Sequence, residues 1–298
     1  MWIAFTFCAA ILQTLRFVLQ KRLSVTGLST AGATFARFLF AAPLACGSAA
    51  ALLYFTGARV SMPPAAFAAW VLVGGVAQIL ATDLTVRLFQ MRNFVVGVAF
   101  TKTEMLQVAL FSVWVLGESV ATVAILAILL GLIGILFLSR PPEAGARLFG
   151  RSAAFGLMAG ALFAVAAVGY RGATMALEPA PFLLRALLAL AAATSAQTVI
   201  MALWLKLREP GEIGRVTTGW RRTLPVGVTG MLGSLGWFAA FSLQNAAYVR
   251  ALGQIEIVFT LLASTVIFGE RMGRREAIGI ALVTVSVVIL TLGVGLHG

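Results

Sequence analysis

The chain has 298 residues, 61% of them apolar and 11% charged, with a mean hydropathy of +1.01. A soluble domain averages about 25% charged residues, so this composition cannot furnish a water-facing surface and lipid must be the solvent over most of it. The net charge of +12 comes almost wholly from Arg, placed between apolar runs rather than in a basic patch with aromatics; it reads as charge at membrane edges, not as a nucleic-acid interface.

A hydrocarbon core about 30 Å thick requires roughly 20 apolar residues in a helix. Ten segments qualify, at about 2–20, 30–54, 65–88, 94–116 and 120–138, then 152–175, 180–205, 224–246, 247–268 and 277–292. The first shows no basic leader and no small-residue cleavage site and is expected to be a span rather than a cleaved signal. The fold class expected is therefore all-α integral membrane, with ten transmembrane helices. A polar break at 139–151, containing Pro141 and Pro142, separates 1–138 from 152–298, five spans each, and a second polar connection runs over 206–223. Pro43 interrupts the second span and is expected to kink it. Gly156 and Gly160 form a Gly-x-x-x-Gly pair, as expected where helices approach closely. Cys8 and Cys46 lie in apolar runs, which predicts small buried hydrophobes rather than a disulfide. His297 is the only His, which removes His-based metal sites and proton relays; no metal and no cofactor is implied.

The two halves repeat. A shift of 152 residues sets Phe89 on Phe241, Asn93 on Asn245, Glu104 on Glu256 and Gly117-Glu118 on Gly269-Glu270; Arg37 meets Arg185 at a slightly smaller shift. Five spans are an odd number, so the halves must insert in opposite directions, as in many secondary transporters. With Arg37 and Arg185 early in the second helix of each half and the Gly-Glu pairs ending the fourth and ninth spans, the chain resembles the drug/metabolite transporter superfamily, within it the ten-helix EamA-type family. That resemblance implies alternating-access export or exchange of small metabolites through a central cavity. The first Gly-Glu departs from the second: Ser119-Val120 follows it, whereas Arg271, Arg274 and Arg275 follow the other.

Basic residues choose the cytoplasmic face. Lys21, Arg22, Arg87, Arg92, Arg140, Arg147, Arg151, Lys206, Arg208, Arg215, Arg221, Arg222, Arg271, Arg274 and Arg275 fall on one face, and Arg59 on the other. This bias places both termini outside the cytoplasm in an inner-membrane, multi-pass protein, whereas relatives of the resembled family often have both termini inside.

Ionisable groups inside hydrocarbon are costly and mark function or a partner. Glu104 and Glu256 sit near mid-span. Either binds a proton or a cationic substrate group, or each forms a structural pair with Arg37 or Arg185 of its own half. Lys102 is two residues from Glu104 and on a different side of the helix; its repeat counterpart is Gln254. It either contacts an anionic substrate group or pairs with Asp83, the only Asp. Arg16, Arg171 and Arg250 lie near helix ends and are expected to snorkel. Trp237, Phe241, Gln244, Asn245 and Tyr248 form either a wall for a flat substrate close to Glu256 or helix packing. Trp2, Trp204 and Trp220, with Trp114 and Tyr54, fit an interfacial aromatic belt.

No Walker motif is present, so coupling must come from an ion gradient or exchange. The reading is a secondary transporter, not an enzyme, carrying a small organic metabolite, anionic or zwitterionic such as an amino acid. Its partners are that solute and the lipid bilayer, with no nucleic acid, as a monomer or homodimer. The alternative is a flippase for a lipid or lipid-linked intermediate.

Overall fold

The computed structural model describes residues 1–24, 27–58, 64–89, 100–138, 150–259 and 273–295. Among these no strand occurs, and the helices in chain order are α1 (Trp2–Ser24), α2 (Thr30–Thr56), α3 (Ala65–Phe89), α4 (Glu104–Leu116), α5 (Thr122–Leu138), α6 (Arg151–Met175), α7 (Phe182–Arg208), α8 (Glu212–Thr218), α9 (Trp220–Leu243), α10 (Ala246–Leu252) and α11 (Arg274–Gly295). Six are long and apolar enough to cross a membrane: α2, α3, α6, α7, α9 and α11; the described apolar parts of α1, α4 and α5 are shorter. Helix is the only open-ended way to satisfy backbone polar groups in lipid.

The chain forms two compact units, each drawing on both halves of the sequence. The first comprises Met1–Val76 and Gly169–Leu243, the second Ala77–Val168 and Gln244–Gly298. In the first, α1 packs on α9, and α2 on α7 and α9. Glycines make these approaches possible. A Cβ at Gly236 would lie 2.9 Å from Phe5 O on α1, and one at Gly169 would lie 2.9 Å from Gly74 Cα on α3. α2 continues through Pro43 as one helix and ends at Gly57, whose φ of 62° lets the chain leave in the left-handed conformation.

In the second unit α5 packs along α11 and α4 against α10. A Cβ at Gly134 would lie 2.9 Å from the Val283 backbone N, and the Ser286 hydroxyl donates to Ala127 O at 2.6 Å. Small residues and a hydroxyl thus replace the hydrophobic drive that lipid removes between helices. Gly160 of α6 works similarly, with its Cβ position 3.0 Å from Thr101 O.

The outward faces are apolar. Trp114 and Tyr54 are over four-fifths exposed, and Trp204 and Trp220 are also exposed. Cys8 and Cys46 correct the expectation of burial: both are free and exposed, and Cys46 Sγ lies 3.6 Å from Ser195 Oγ of α7. A thiol is a small enough hydrophobe to face acyl chains.

Candidate functional site

The second unit holds two helix interruptions beside two carboxylates. Before α4 the helix breaks into a turn at Lys102 and Thr103; after α10 it breaks at Gly253 and Gln254 and resumes at Ile255. In the frame of the 152-residue repeat these breaks fall one residue apart, and each leads into a Glu.

Both breaks are satisfied locally. At the first, Thr103 N donates to Phe100 O at 3.1 Å and its hydroxyl donates to the same carbonyl at 2.6 Å. Gln107 Nε2 in turn donates to Thr103 Oγ1 at 2.9 Å. At the second, Gln254 N donates to Ala251 O at 3.3 Å and the Gln254 amide donates to Arg250 O at 3.3 Å. Polar side chains therefore take up carbonyls that the interruptions release, as membrane burial demands.

The buried Glu104 carboxylate receives Arg250 through both Nε, at 2.8 Å, and Nη2, at 2.5 Å, on Oε1. The pair ties one interrupted segment to the other. This corrects two expectations: Glu104 is paired with Arg250 rather than Arg37, and Arg250 is turned inward rather than snorkelling. Sequence spacing within one half could not reveal this pair, because Arg250 has Val98 as its repeat counterpart. Glu256 is half-buried two residues past the second break. Lys102, also half-buried, makes no ion pair or hydrogen bond among the described residues. Asp83 does not meet it; Asp83 pairs with Arg87 one helical turn away at 2.7 Å, and both are exposed.

The amide and aromatic residues that read as either a substrate wall or helix packing make structural contacts. Asn245 caps α10 by accepting from Ala247 N at 2.8 Å, and also accepts from Ser112 Oγ at 3.2 Å. Gln244 Oε1 accepts from Asn245 N at 2.8 Å, and Tyr248 Oη accepts from Ala121 N at 2.9 Å. The first Gly-Glu pair has a structural meaning here. Gly117, at φ 68°, ends α4 in the left-handed conformation, and Glu118 N donates back to Ser112 O at 3.2 Å. The Glu118 carboxylate then accepts from the Ser112 hydroxyl. Gly269-Glu270 lies outside the described residues.

The first unit contains a second polar interior. Arg37 Nη2 donates to Ser234 Oγ at 3.1 Å. Gly230 makes room for it: a Cβ there would lie 2.9 Å from Arg37 Cγ and 3.4 Å from Arg16 Cδ. Arg16 is buried, not snorkelling. Gln197 bridges Tyr170 Oη at 3.2 Å and Gly75 O at 3.3 Å, and Trp237 Nε1 donates to Gln13 Oε1 at 3.0 Å. Arg37 has no carboxylate partner among the described residues. Arg185 pairs with Glu178 at 2.5 Å and donates to Ser242 O at 3.0 Å, so its partner is not Glu256. Arg171 is likewise turned inward, donating to Phe241 O at 2.6 Å.

Glu212 is a buried carboxylate that sequence reasoning missed. It is fully buried, accepts from Ser29 N at 2.6 Å and pairs with Arg215. It lies in a polar connection that read as a solvated loop; the signal present was a short helix, α8, with Glu three residues before Arg.

A multi-pass bundle of apolar helices with charges paired inside it is the class that membrane transporters occupy. Residues 150–292 match the EamA-like transporter family. That match, over just under half of the chain, is consistent with the drug/metabolite transporter superfamily. A solved structure described as "Crystal structure of protein" aligns over 98% of this chain and 97% of its own, at 18% identity and a TM-score of 0.69, a likeness of fold. No curated protein matches the sequence.

Proposed function

We propose that the chain is a secondary transporter of a small organic metabolite, anionic or zwitterionic such as an amino acid, working by alternating access between two inverted five-helix repeats at 1–138 and 152–298, joined by the linker 139–151. The observation that carries this reading is the pair of helix interruptions at Lys102-Thr103 and Gly253-Gln254, at corresponding repeat positions, each preceding a mid-span Glu. Interrupted helices at matched positions of two halves mark the binding site of many transporters. Glu104, Glu256, Lys102, Arg250 and Gln254 are the groups this reading assigns to solute or proton.

The packing pattern supports the repeat. The first helix of one half meets the third of the other in both directions, as α1 on α9 and as Gly74 of α3 against Gly169 of α6. The second, fourth and fifth helices each meet their own counterparts, as α2 on α7, α4 on α10 and α5 on α11. Anion preference is supported by Arg37, which is half-buried and makes no ion pair among the described residues; a guanidinium shielded from water attracts a negative group. The charge bias of the connections supports a cytoplasmic location for 206–223 in the inner membrane and termini on the opposite side.

Counterflow tests this. Proteoliposomes preloaded with panels of amino acids, carboxylates or amines should accumulate the matching labelled solute saturably, with anions and zwitterions ahead of cations. Glu104→Gln should abolish the flux. Saturable flux of amines alone would overturn the anion assignment. Scrambling of labelled lipid without solute flux would replace carrier with flippase.

A further inference from the structure

The end of the first unit carries a basic cavity of about 290 Å³, where the α1–α2 connection at Gly27 meets α8 and the first turn of α9. Its wall includes Arg215, Arg222, Thr218 and Thr223. The Thr218 and Thr223 hydroxyls donate to Gly214 O at 2.8 Å and Val216 O at 3.2 Å, so the donors left to a ligand are guanidinium groups. Arg215 is anchored by the buried Glu212 carboxylate and retains further N–H groups. Arg222 is exposed and makes no ion pair among the described residues. Arg222 and Thr223 belong to the first turn of α9, a 24-residue helix that Gly219 immediately precedes, and the N-terminus adds the positive end of its dipole.

The cavity lies at the ends of spans, not within them. Trp220, next to the lining residue Gly219, is half-exposed and has the Arg221 guanidinium over its ring at 5.6 Å, an arrangement suited to the headgroup layer. Lys206, Arg208 and Arg221 add positive charge to the same connection. Planar guanidinium groups match phosphate oxygens geometrically, and polybasic segments beside spans favour anionic headgroups.

We propose that this cavity is a phosphate-binding site, taking the phosphate of an anionic lipid headgroup or of a soluble phosphate ester, through Arg222 and Arg215 at the start of α9. The site is independent of what the protein transports.

The test uses the full chain in detergent and in nanodiscs. Binding of phosphatidylglycerol is measured by native mass spectrometry and by the thermal shift it confers, against phosphatidylcholine. Inorganic phosphate and glycerol phosphate are titrated in lipid-depleted detergent. Arg222→Gln is the test variant and Arg221→Gln the control of equal charge change, since Arg221 lies on Trp220. Loss of one charge-assisted contact is expected to weaken binding about tenfold for Arg222→Gln and less than twofold for Arg221→Gln. Binding that requires acyl chains assigns the site to lipid, and binding of the soluble ions alone assigns it to a free ester; both support the proposal. Equal loss in the two variants, or no saturable binding of any phosphate compound, overturns it. Arg222 is exposed and carries no structural ion pair, so its variant should melt as the wild type does in the absence of phosphate compounds, which separates lost binding from misfolding.

Discussion

The Glu104–Arg250 pair gives the sharpest energetic prediction. The Glu104 side chain is 8% exposed and the Arg250 side chain 20%, so removing either partner leaves the other largely dry. Breaking one side of a buried pair costs about 3–5 kcal/mol. Hydrogen-bonded pairs between membrane helices run smaller, about 1–2 kcal/mol or less, because the unfolded chain in the membrane also finds partners. Arg250 donates twice to one carboxylate oxygen, and Glu104→Gln keeps an oxygen acceptor while losing the charge. A cost of about 2–3 kcal/mol per single variant follows from these limits. At about 2–4 °C per kcal/mol for a chain of this order of size, Glu104→Gln and Arg250→Gln should each lower the melting temperature in detergent by roughly 4–12 °C. Glu104→Gln/Arg250→Gln replaces the ion pair with two amides that can bond to each other. The double variant should melt no lower than the worse single one, giving a coupling energy of about 2 kcal/mol in the double-mutant cycle. Strict additivity would show that the two side chains do not stabilise the fold through each other and would refute the argument.

Four further outcomes follow from the packing. Gly279→Ala should destabilise by about 1–3 kcal/mol, because its Cβ would lie 2.8 Å from Gly134 O, a backbone atom that cannot swing away; chemical melting of the purified variant checks it. Glu212→Gln should also lower stability, by about 1–3 kcal/mol, since the charge-assisted bond to Ser29 N and the Arg215 pair both weaken. Gly32→Ala should act in the same direction by displacing that carboxylate, whose Oε1 lies 2.1 Å from the added Cβ position. Gly230→Ala should move Arg37 off Ser234, through a Cβ 2.9 Å from Arg37 Cγ, and reduce solute affinity by counterflow at least fivefold while the protein still folds; unchanged affinity would remove Arg37 from the solute path.

The helical, membrane-embedded character was legible because lipid solvation leaves a strong mark: a long apolar run has few alternatives to a spanning helix. The Gly-Glu pair at Gly117-Glu118 was visible as a motif, and the structure supplies its reason, a left-handed helix end closed by the Glu118–Ser112 contact. The partners of the charged residues were not legible. Depth along a span pairs Glu104 with Arg37 and Glu256 with Arg185, but depth fixes only one coordinate of three. Rotation about the helix axis and the choice of neighbouring helix decide the rest, and they give Glu104 to Arg250 and Arg185 to Glu178. Snorkelling was expected of Arg16 and Arg171 from their nearness to helix ends. Arg171 instead reaches inward to a backbone carbonyl at the end of α9. Glu212 escaped notice because composition marks a polar connection as solvated, whereas a fold-back of α8 onto the start of α2 buries it.

The matched interruptions can be tested directly by cysteine accessibility with solute protection. In a Cys8→Ser/Cys46→Ser background, Lys102→Cys and Gln254→Cys are introduced singly and treated in proteoliposomes with a water-soluble maleimide. The account predicts that both positions label, and that the solute active in counterflow slows labelling at both with the concentration dependence of its transport. Failure of either cysteine to react with the aqueous reagent, or labelling at both that ignores saturating solute, would contradict a transport site built on the two broken helices.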